Sequence, residues 1–379
     1  MTDATELLTA LKPGFTTLSP DRSTVVSFDR EGRLFSYFKA GVTYRRTLAS
    51  TVEVRYRDDE RRRERLSPDG AARLFAEVYQ LAAACYERAP SEVRRRIEED
   101  GILEWTPERL LAQGDEFSRI YKPISILPPD QYLSIVVQAT EGCTWNRCTF
   151  CTFYQDRPFR AKPPAEFSRH VEDVKAFLGK GALMRKGVFL ADGNALALSQ
   201  SRLEPLLEIV RQAFPGEAVY SFVDLYTGER RPVEEWRRLV QLGLHRVYVG
   251  METGDDELLA FLNKPGSREE LVRFVHDLKQ AGVAVGLIAM VGVGGAEYAR
   301  AHAEATVAAI SRMPLERGDL VYLSPFIEQP GSEYTRRRRE ASLTPLSPEA
   351  IEHELKELAR RIRALGYKAA RYDIRDFIY

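Results

Sequence analysis

The feature that most constrains this chain is a repeated strand, loop and helix pattern over residues 131–323. Short β-branched or aliphatic runs stand at Leu133–Val137, Gly187–Leu190, Val219–Val223, Arg246–Val249, Val283–Val291 and Leu320–Leu323. Between them lie stretches with helical spacing, among them Phe167, Val171, Val174 and Leu178, and then Leu271 to Leu278. Strands that alternate with helices form a parallel sheet, because each crossover must cover a face of the next strand pair. Six such units in about 200 residues fit an incomplete barrel better than an eight-unit one. The spacing therefore predicts an α/β fold whose core is a partial (β/α)6 TIM barrel. In such a barrel, chemistry gathers at the C-terminal ends of the strands.

The flanking regions read differently. Alternating runs at Thr24–Phe28, Arg33–Phe38, Val42–Thr47 and Thr51–Tyr56 predict an N-terminal β-meander. A helix capped by Ser67-Pro68-Asp69 follows, with Leu74, Val78, Leu81 and Cys85 on one face. The three prolines of Tyr121–Asp130 predict an extended linker. After the barrel come a helix near Pro348–Leu365 and a strand-like stretch, Arg371–Tyr379. The expected division is an N-terminal α+β accessory region over 1–125, the barrel over 126–335 and a C-terminal extension over 336–379.

Charge and hydropathy narrow the setting. Lys and Arg number 55 and so do Asp and Glu, which disfavours wrapping nucleic acid by bulk electrostatics. Arginine runs at Arg61–Arg63, Arg94–Arg96 and Arg336–Arg339 are expected to be solvated surface. The longest weakly polar stretch, Gly282–Gly295, is too short and too glycine-rich to span a bilayer. No basic region followed by an apolar core opens the sequence, so the expected compartment is the cytoplasm.

Cysteine usage points to the chemistry. Cys143, Cys148 and Cys151 fall on one loop directly after the first barrel strand, whereas Cys85 is expected to be a small buried hydrophobe. Three thiolates on a loop can close around one metal centre. A structural zinc nearly always takes four protein ligands, and the nearest histidine in sequence, His170, lies on the following helix. A disulfide would leave one cysteine over and fits a reducing compartment poorly. A cubane iron–sulfur cluster held by three thiolates leaves one iron open to a ligand.

With its three-cysteine loop after the first strand and Phe150 just before the third cysteine, the sequence resembles the radical S-adenosylmethionine (radical SAM) enzymes. The first cysteine interval holds four residues, Thr144 to Arg147, where the family's usual interval has three. Later strand ends extend the similarity. Ala191-Asp192-Gly193-Asn194 stands where the family has a glycine-rich turn that holds the methionine amino group. Gly250-Met251-Glu252-Thr253-Gly254 ends strand four, and Lys264 follows Glu252 by twelve residues. The subgroup resembling coproporphyrinogen dehydrogenases and Elp3-like proteins places a ribose contact and a methionine-carboxylate contact there. Met290-Val291-Gly292-Val293-Gly294-Gly295 is similar to the glycine-rich turn beside adenine, although Ile288 replaces an acidic residue found in some relatives. Asp224, ending strand three, is a further polar candidate.

The resemblance implies a [4Fe-4S] cluster on Cys143, Cys148 and Cys151, with S-adenosylmethionine bound near Phe150, Asp192, Gly193, Asn194, Asp224, Glu252, Lys264 and Gly292. It implies reductive cleavage to a 5′-deoxyadenosyl radical, fed by a low-potential donor such as flavodoxin or ferredoxin. That radical would take hydrogen from a substrate, preferred here as a small molecule or natural product. Two alternatives stand beside this reading. One is an RNA-directed module using Tyr44-Arg45-Arg46 of the meander. The other is a non-catalytic iron–sulfur or zinc protein.

Overall fold

The computed structural model describes residues 7–56 and 63–379. Arg61 and Arg62 of the first arginine run lie outside the described residues. The N-terminal part is a sequentially ordered antiparallel sheet: β1 (Leu8–Leu11), β2 (Phe15–Asp21), β3 (Thr24–Asp29), β4 (Leu34–Lys39), β5 (Val42–Arg46), β6 (Val52–Tyr56) and β7 (Arg63–Arg65). The expected meander is β3 to β6, and three further strands flank it. β1 escapes the pattern because, as an edge strand, it buries no residue fully. β2 carries Pro20 where the register with β3 shifts, a tolerated position for a residue without an N–H.

One face of this sheet is apolar at alternate positions. Val26, Phe28, Leu34 and Tyr37 pack on Phe75, Val78, Tyr79 and Ala82 of helix α1 (Pro68–Arg88). Ser67 caps that helix, its hydroxyl accepting the Gly70 N–H at 3.1 Å. Cys85 is buried in the same core, far from any metal role. Helices α2 (Ser91–Glu99) and α3 (Pro107–Ile120) complete this layer.

The second sheet is parallel. Its strands are β8 (Ile135–Gln138), β11 (Val188–Ala191), β12 (Val219–Val223), β13 (Leu244–Glu252), β14 (Ala284–Val291), β15 (Leu320–Pro325) and β16 (Ala369–Arg371), adjacent in that order. A two-residue antiparallel ladder, β9 (Thr140–Glu141) with β10 (Arg160–Ala161), interrupts the first crossover. The crossover helices are α4 (Pro164–Leu178), α5 (Gln200–Ala213), α6 (Leu225–Gly228), α7 (Val233–Gln241), α8 (Asp256–Phe261), α9 (Arg268–Gln280), α10 (Gly295–Ser311), α11 (Glu333–Glu340) and α12 (Pro348–Ala364). Among the described residues no helix is long and apolar enough to cross a membrane.

The partial barrel thus has seven parallel strands among the described residues, one more than the periodicity indicates. The strand-like run Arg371–Tyr379 is also displaced. β16 forms just before it, paired with β15 through Val321 and Ala369, and the chain then turns through Ile374–Asp376. The reason is aromatic burial. Tyr372 places its hydroxyl on the Leu127 carbonyl at 2.7 Å, and the Tyr379 hydroxyl accepts the Val136 N–H at 2.9 Å. These bonds tie the tail to both β8 and the proline-rich segment ahead of it, so that segment is extended but packed, with Tyr121 and Leu127 buried.

Two polar contacts fix the remaining geometry. Arg33 reaches out of the N-terminal sheet and donates to the carbonyls of Phe177 and Leu178 at 2.8 and 2.7 Å, docking the sheet on the end of α4. Asp130 accepts the hydroxyls of Tyr248 and Tyr322 at 2.6 and 2.7 Å and pairs with Arg246 at 2.9 Å. The strand ends opposite that floor are left open.

Candidate active site

The cysteine loop is held by its backbone. Gly142 adopts φ +75°, and a Cβ there would meet the Pro158 carbonyl oxygen at 2.8 Å. Thr149 donates its N–H to the Leu262 carbonyl at 3.0 Å, Trp145 donates its indole N–H to Asn263 at 2.9 Å, and Asn263 donates back to the Arg147 carbonyl at 2.8 Å. The loop is therefore fastened to the segment that follows β13, which carries Lys264.

Cys143, Cys148 and Cys151 are unpaired and face one cavity of about 1210 Å³ over the open strand ends. Burial pushes the Cys148 thiol up to about 12, and burial likewise raises Cys151. As bare groups these two stay protonated at neutral pH, so metal coordination would be what makes them thiolates. Among the described residues no three His, Cys, Asp or Glu side chains converge on a single ion. Three thiols on one loop suit a cluster in which each thiolate takes its own iron. His170 is removed from consideration: it is buried and its Nε2 accepts the Gln138 N–H at 2.9 Å.

Glu252 ends β13 with φ +56°, and its Oε1 lies 2.8 Å from Lys264 Nζ. The side chains are 9% and 12% exposed. Burial works against the ammonium, but the nearby Glu252 carboxylate, by its charge and its hydrogen bond, outweighs it and holds Lys264 firmly charged. Gly250 makes the pairing possible, since a Cβ there would meet Glu252 Oε1 at 2.4 Å and Lys264 Nζ at 3.0 Å.

On the neighbouring strand ends, Asp224 caps the short turn of α6 and accepts from the Thr227 N–H at 2.7 Å and the Thr227 hydroxyl at 2.8 Å. Its second oxygen receives the Asn194 amide. Gly193 brings the turn after β11 against the cysteine loop, where a Cβ would meet the Gly142 carbonyl oxygen at 2.2 Å.

The structure separates the sequence-derived residues into two groups. Phe150, Gly193, Asp224, Glu252 and Lys264 line the cavity with the three cysteines. Asp192, Asn194 and Gly292 do not line it. The Asp192 carboxylate accepts the Gly193 N–H at 2.9 Å and lies 3.6 Å from Arg157; burial raises its pKa. Asn194 spends its amide N–H groups on Asp224, Thr227 and Thr144, leaving a buried Oδ1 unpartnered. Gly292 faces outward, donating its N–H to Glu354 Oε1 at 3.2 Å beneath α12, and Met290 is the nearby residue that faces the cavity. A Gly-rich turn reveals where a backbone bends, not which way its amides point.

Sequence reasoning missed the uncharged part of the cavity lining, which includes Ile126, Ser324, Phe326, Tyr372 and Ile374. The only available signal was alternation along β15; the rest comes from segments with no strand or helix pattern. The RNA-directed alternative loses its proposed surface. Arg46 is buried in β5, donating to the carbonyls of Leu34 and Thr47 at 2.6 and 3.1 Å, and Arg45 lies over the Phe35 ring.

Three thiols on the loop after the first parallel strand and a buried ion pair on a later strand end line one cavity at the C-terminal ends of the barrel strands, where barrel enzymes carry their chemistry. Residues 137–304 match the family model of the radical SAM superfamily, so this part of the chain is a radical SAM domain, with its subfamily unresolved. It is accordingly an enzyme of a superfamily that uses a [4Fe-4S] cluster and S-adenosylmethionine.

No curated protein matches the chain. Similar solved structures include the coproporphyrinogen III oxidase of Escherichia coli, described as a radical SAM enzyme, at 14% identity and TM-score 0.47, covering 68% of this chain and 56% of that one. The methyltransferase TsrM of Kitasatospora setae, solved with cobalamin and a [4Fe-4S] cluster, is 16% identical at TM-score 0.43 over 65% and 56%. The Elp3 of Methanocaldococcus infernus is 12% identical at TM-score 0.42 over 63% and 56%. The matched region spans about half the length of each.

Proposed function

We propose that Cys143, Cys148 and Cys151 would hold the [4Fe-4S] cluster and that the cavity they line would receive S-adenosylmethionine. When bound, the cluster supplies one electron to the sulfonium, giving methionine and a 5′-deoxyadenosyl radical able to take hydrogen from a substrate. The chain's own residues bind and orient. Lys264 has two further N–H donors beyond its Glu252 bond and is placed to neutralise the methionine carboxylate. Glu252 offers an acceptor for ribose hydroxyls, and Asp224 a second acceptor on the adjoining strand end. Phe150 supplies an apolar face for the adenine. Asn194 acts one step removed, fixing Asp224, while Asp192 holds the turn that carries the Gly193 backbone.

The observation that carries this reading is the convergence of three unpaired thiols and the Glu252–Lys264 pair on one cavity. A small-molecule substrate is favoured by the neutral chain, with flavodoxin or ferredoxin as the class of electron donor.

The test is anaerobic reconstitution, with iron and sulfide counted and 5′-deoxyadenosine measured after reduction with S-adenosylmethionine. The expected result is about four irons per chain and product from the wild type, with neither from Cys148→Ala. Zinc in place of iron, or reduction without 5′-deoxyadenosine, would overturn the reading.

A further inference from the structure

The cavity is chemically lopsided. Among the described residues lining it, the charged side chains are Asp224, Glu252 and Lys264, all on the side of the cysteine loop. Each is already engaged: Glu252 with Lys264 at 2.8 Å, and Asp224 with Thr227 and Asn194. The rest of the lining includes the ends of β14 and β15, the segment before β8 and the tail after β16. It presents Ile126, Ser324, Ile327, Gln329, Tyr372 and Ile374, none of them ionised at neutral pH. Charged groups beside this wall are turned away and paired, as with Glu328 and Arg338 at 3.0 Å. The Tyr372 hydroxyl is spent on the Leu127 carbonyl.

An ionised substrate group placed against that wall would lose water and gain no counter-charge. Burying an unpaired charge is far more costly than burying apolar surface, which is favourable. Hydroxyl or carbonyl groups, by contrast, have Ser324 and Gln329 as partners. The site therefore selects by charge.

We infer that the substrate is an uncharged, largely apolar small molecule with at most a few hydroxyl or carbonyl groups, seated against Ile126, Ile327, Tyr372 and Ile374. The inference rests on the cofactor reading above, which assigns the three charged residues to S-adenosylmethionine. Ile126 and Ile374 come from segments outside the six-strand pattern, so substrate choice here is set by the chain's own additions to the barrel.

The test uses two fluorescent probes that share one ring system, neutral N-phenyl-1-naphthylamine and anionic 8-anilino-1-naphthalenesulfonate. They are titrated into the reconstituted holoenzyme saturated with S-adenosylmethionine. The neutral probe should bind at least roughly tenfold more tightly, the equivalent of about 1.4 kcal/mol. Ile374→Asp should weaken it by a similar factor while iron content and S-adenosylmethionine affinity are retained; Ile126→Asp should do the same from the other segment. Equal or tighter binding of the sulfonate, complete displacement of the neutral probe by S-adenosylmethionine, or unchanged affinity in both variants would overturn the inference. Iron and S-adenosylmethionine binding are measured on the same wild-type preparation. Their failure would count against the cofactor reading, whereas the probe ratio bears on substrate class alone.

Discussion

Lys264 Nζ and Glu252 Oε1 meet at 2.8 Å inside the barrel mouth, each side chain about nine-tenths buried, on the segment that also anchors the cysteine loop. The pair therefore has a structural and a binding role that can be separated. Removing the cation alone, in Lys264→Met, leaves a buried carboxylate unpaired and should destabilise the fold by about 3–5 kcal/mol. Glu252→Gln with Lys264→Met removes both charges and should recover most of that loss in urea unfolding. S-adenosylmethionine affinity should fall by roughly tenfold or more in both, since a charge-assisted hydrogen bond is lost. Recovery of affinity in the double variant would take Lys264 out of the binding site.

The four cysteines divide by environment. Cys85 is 1% exposed within the core under the N-terminal sheet, whereas the other three face the cavity. Cys85→Ala should retain the full iron and sulfide content and cost about 1 kcal/mol in stability, the scale of a small buried deletion. Loss of iron from that variant, measured after identical reconstitution, would contradict the division.

How much of this could be read in advance depended on whether a residue's role was local. The Cys143, Cys148 and Cys151 cluster and the Glu252 turn stood out because a single loop or strand end contains them. Lys264 was legible by its spacing from Glu252. Gly292 lies off the cavity because its amide direction is set by Glu354, which lies 62 residues later on α12. β16 was hidden because three residues carry no period. The cavity's uncharged wall was invisible for another reason: Ile126 and Ile374 become neighbours only when the tail tyrosines pack back beneath β8.

Arg46 illustrates a basic residue whose apparent surface role dissolves on folding. Its guanidinium satisfies the Leu34 and Thr47 carbonyls and lies 3.3 Å from the Ser50 hydroxyl. Arg46→Ala should lower stability by about 3 kcal/mol or more, because each buried acceptor left unsatisfied costs about 1–3 kcal/mol. Any salt-dependent RNA affinity of the folded protein should be the same in the variant, as read by filter binding at matched ionic strength. A folded variant of full stability that loses RNA binding would reverse both statements.

A pH-sensitive element lies behind the barrel wall, where His302 Nε2 and Glu354 Oε1 are 3.5 Å apart. His302 Nδ1 meets the Thr253 hydroxyl at 2.7 Å, and the ring also bonds the Met290 backbone. Burial pushes His302 down to about 4, and burial pushes Glu354 up to about 7. The signs oppose each other. Glu354 is raised above its unfolded value, so its contribution is complete below about 4.5 and is lost as pH rises through about 7. His302 is depressed, so its contribution is complete above about 6.5 and is lost as pH falls through about 4. Between these limits the two slopes, each up to about 1.4 kcal/mol per pH unit, largely cancel in the wild type. Glu354→Gln should expose the histidine term, so that stability relative to wild type climbs with pH across the window. His302→Gln should expose the carboxyl term and make relative stability fall with pH. Urea midpoints of the metal-free, reduced chain across that window measure both differences. Two variant curves parallel to the wild type would show that neither group changes its proton affinity on folding, and a shared sign would show that the burial argument fails for one of them.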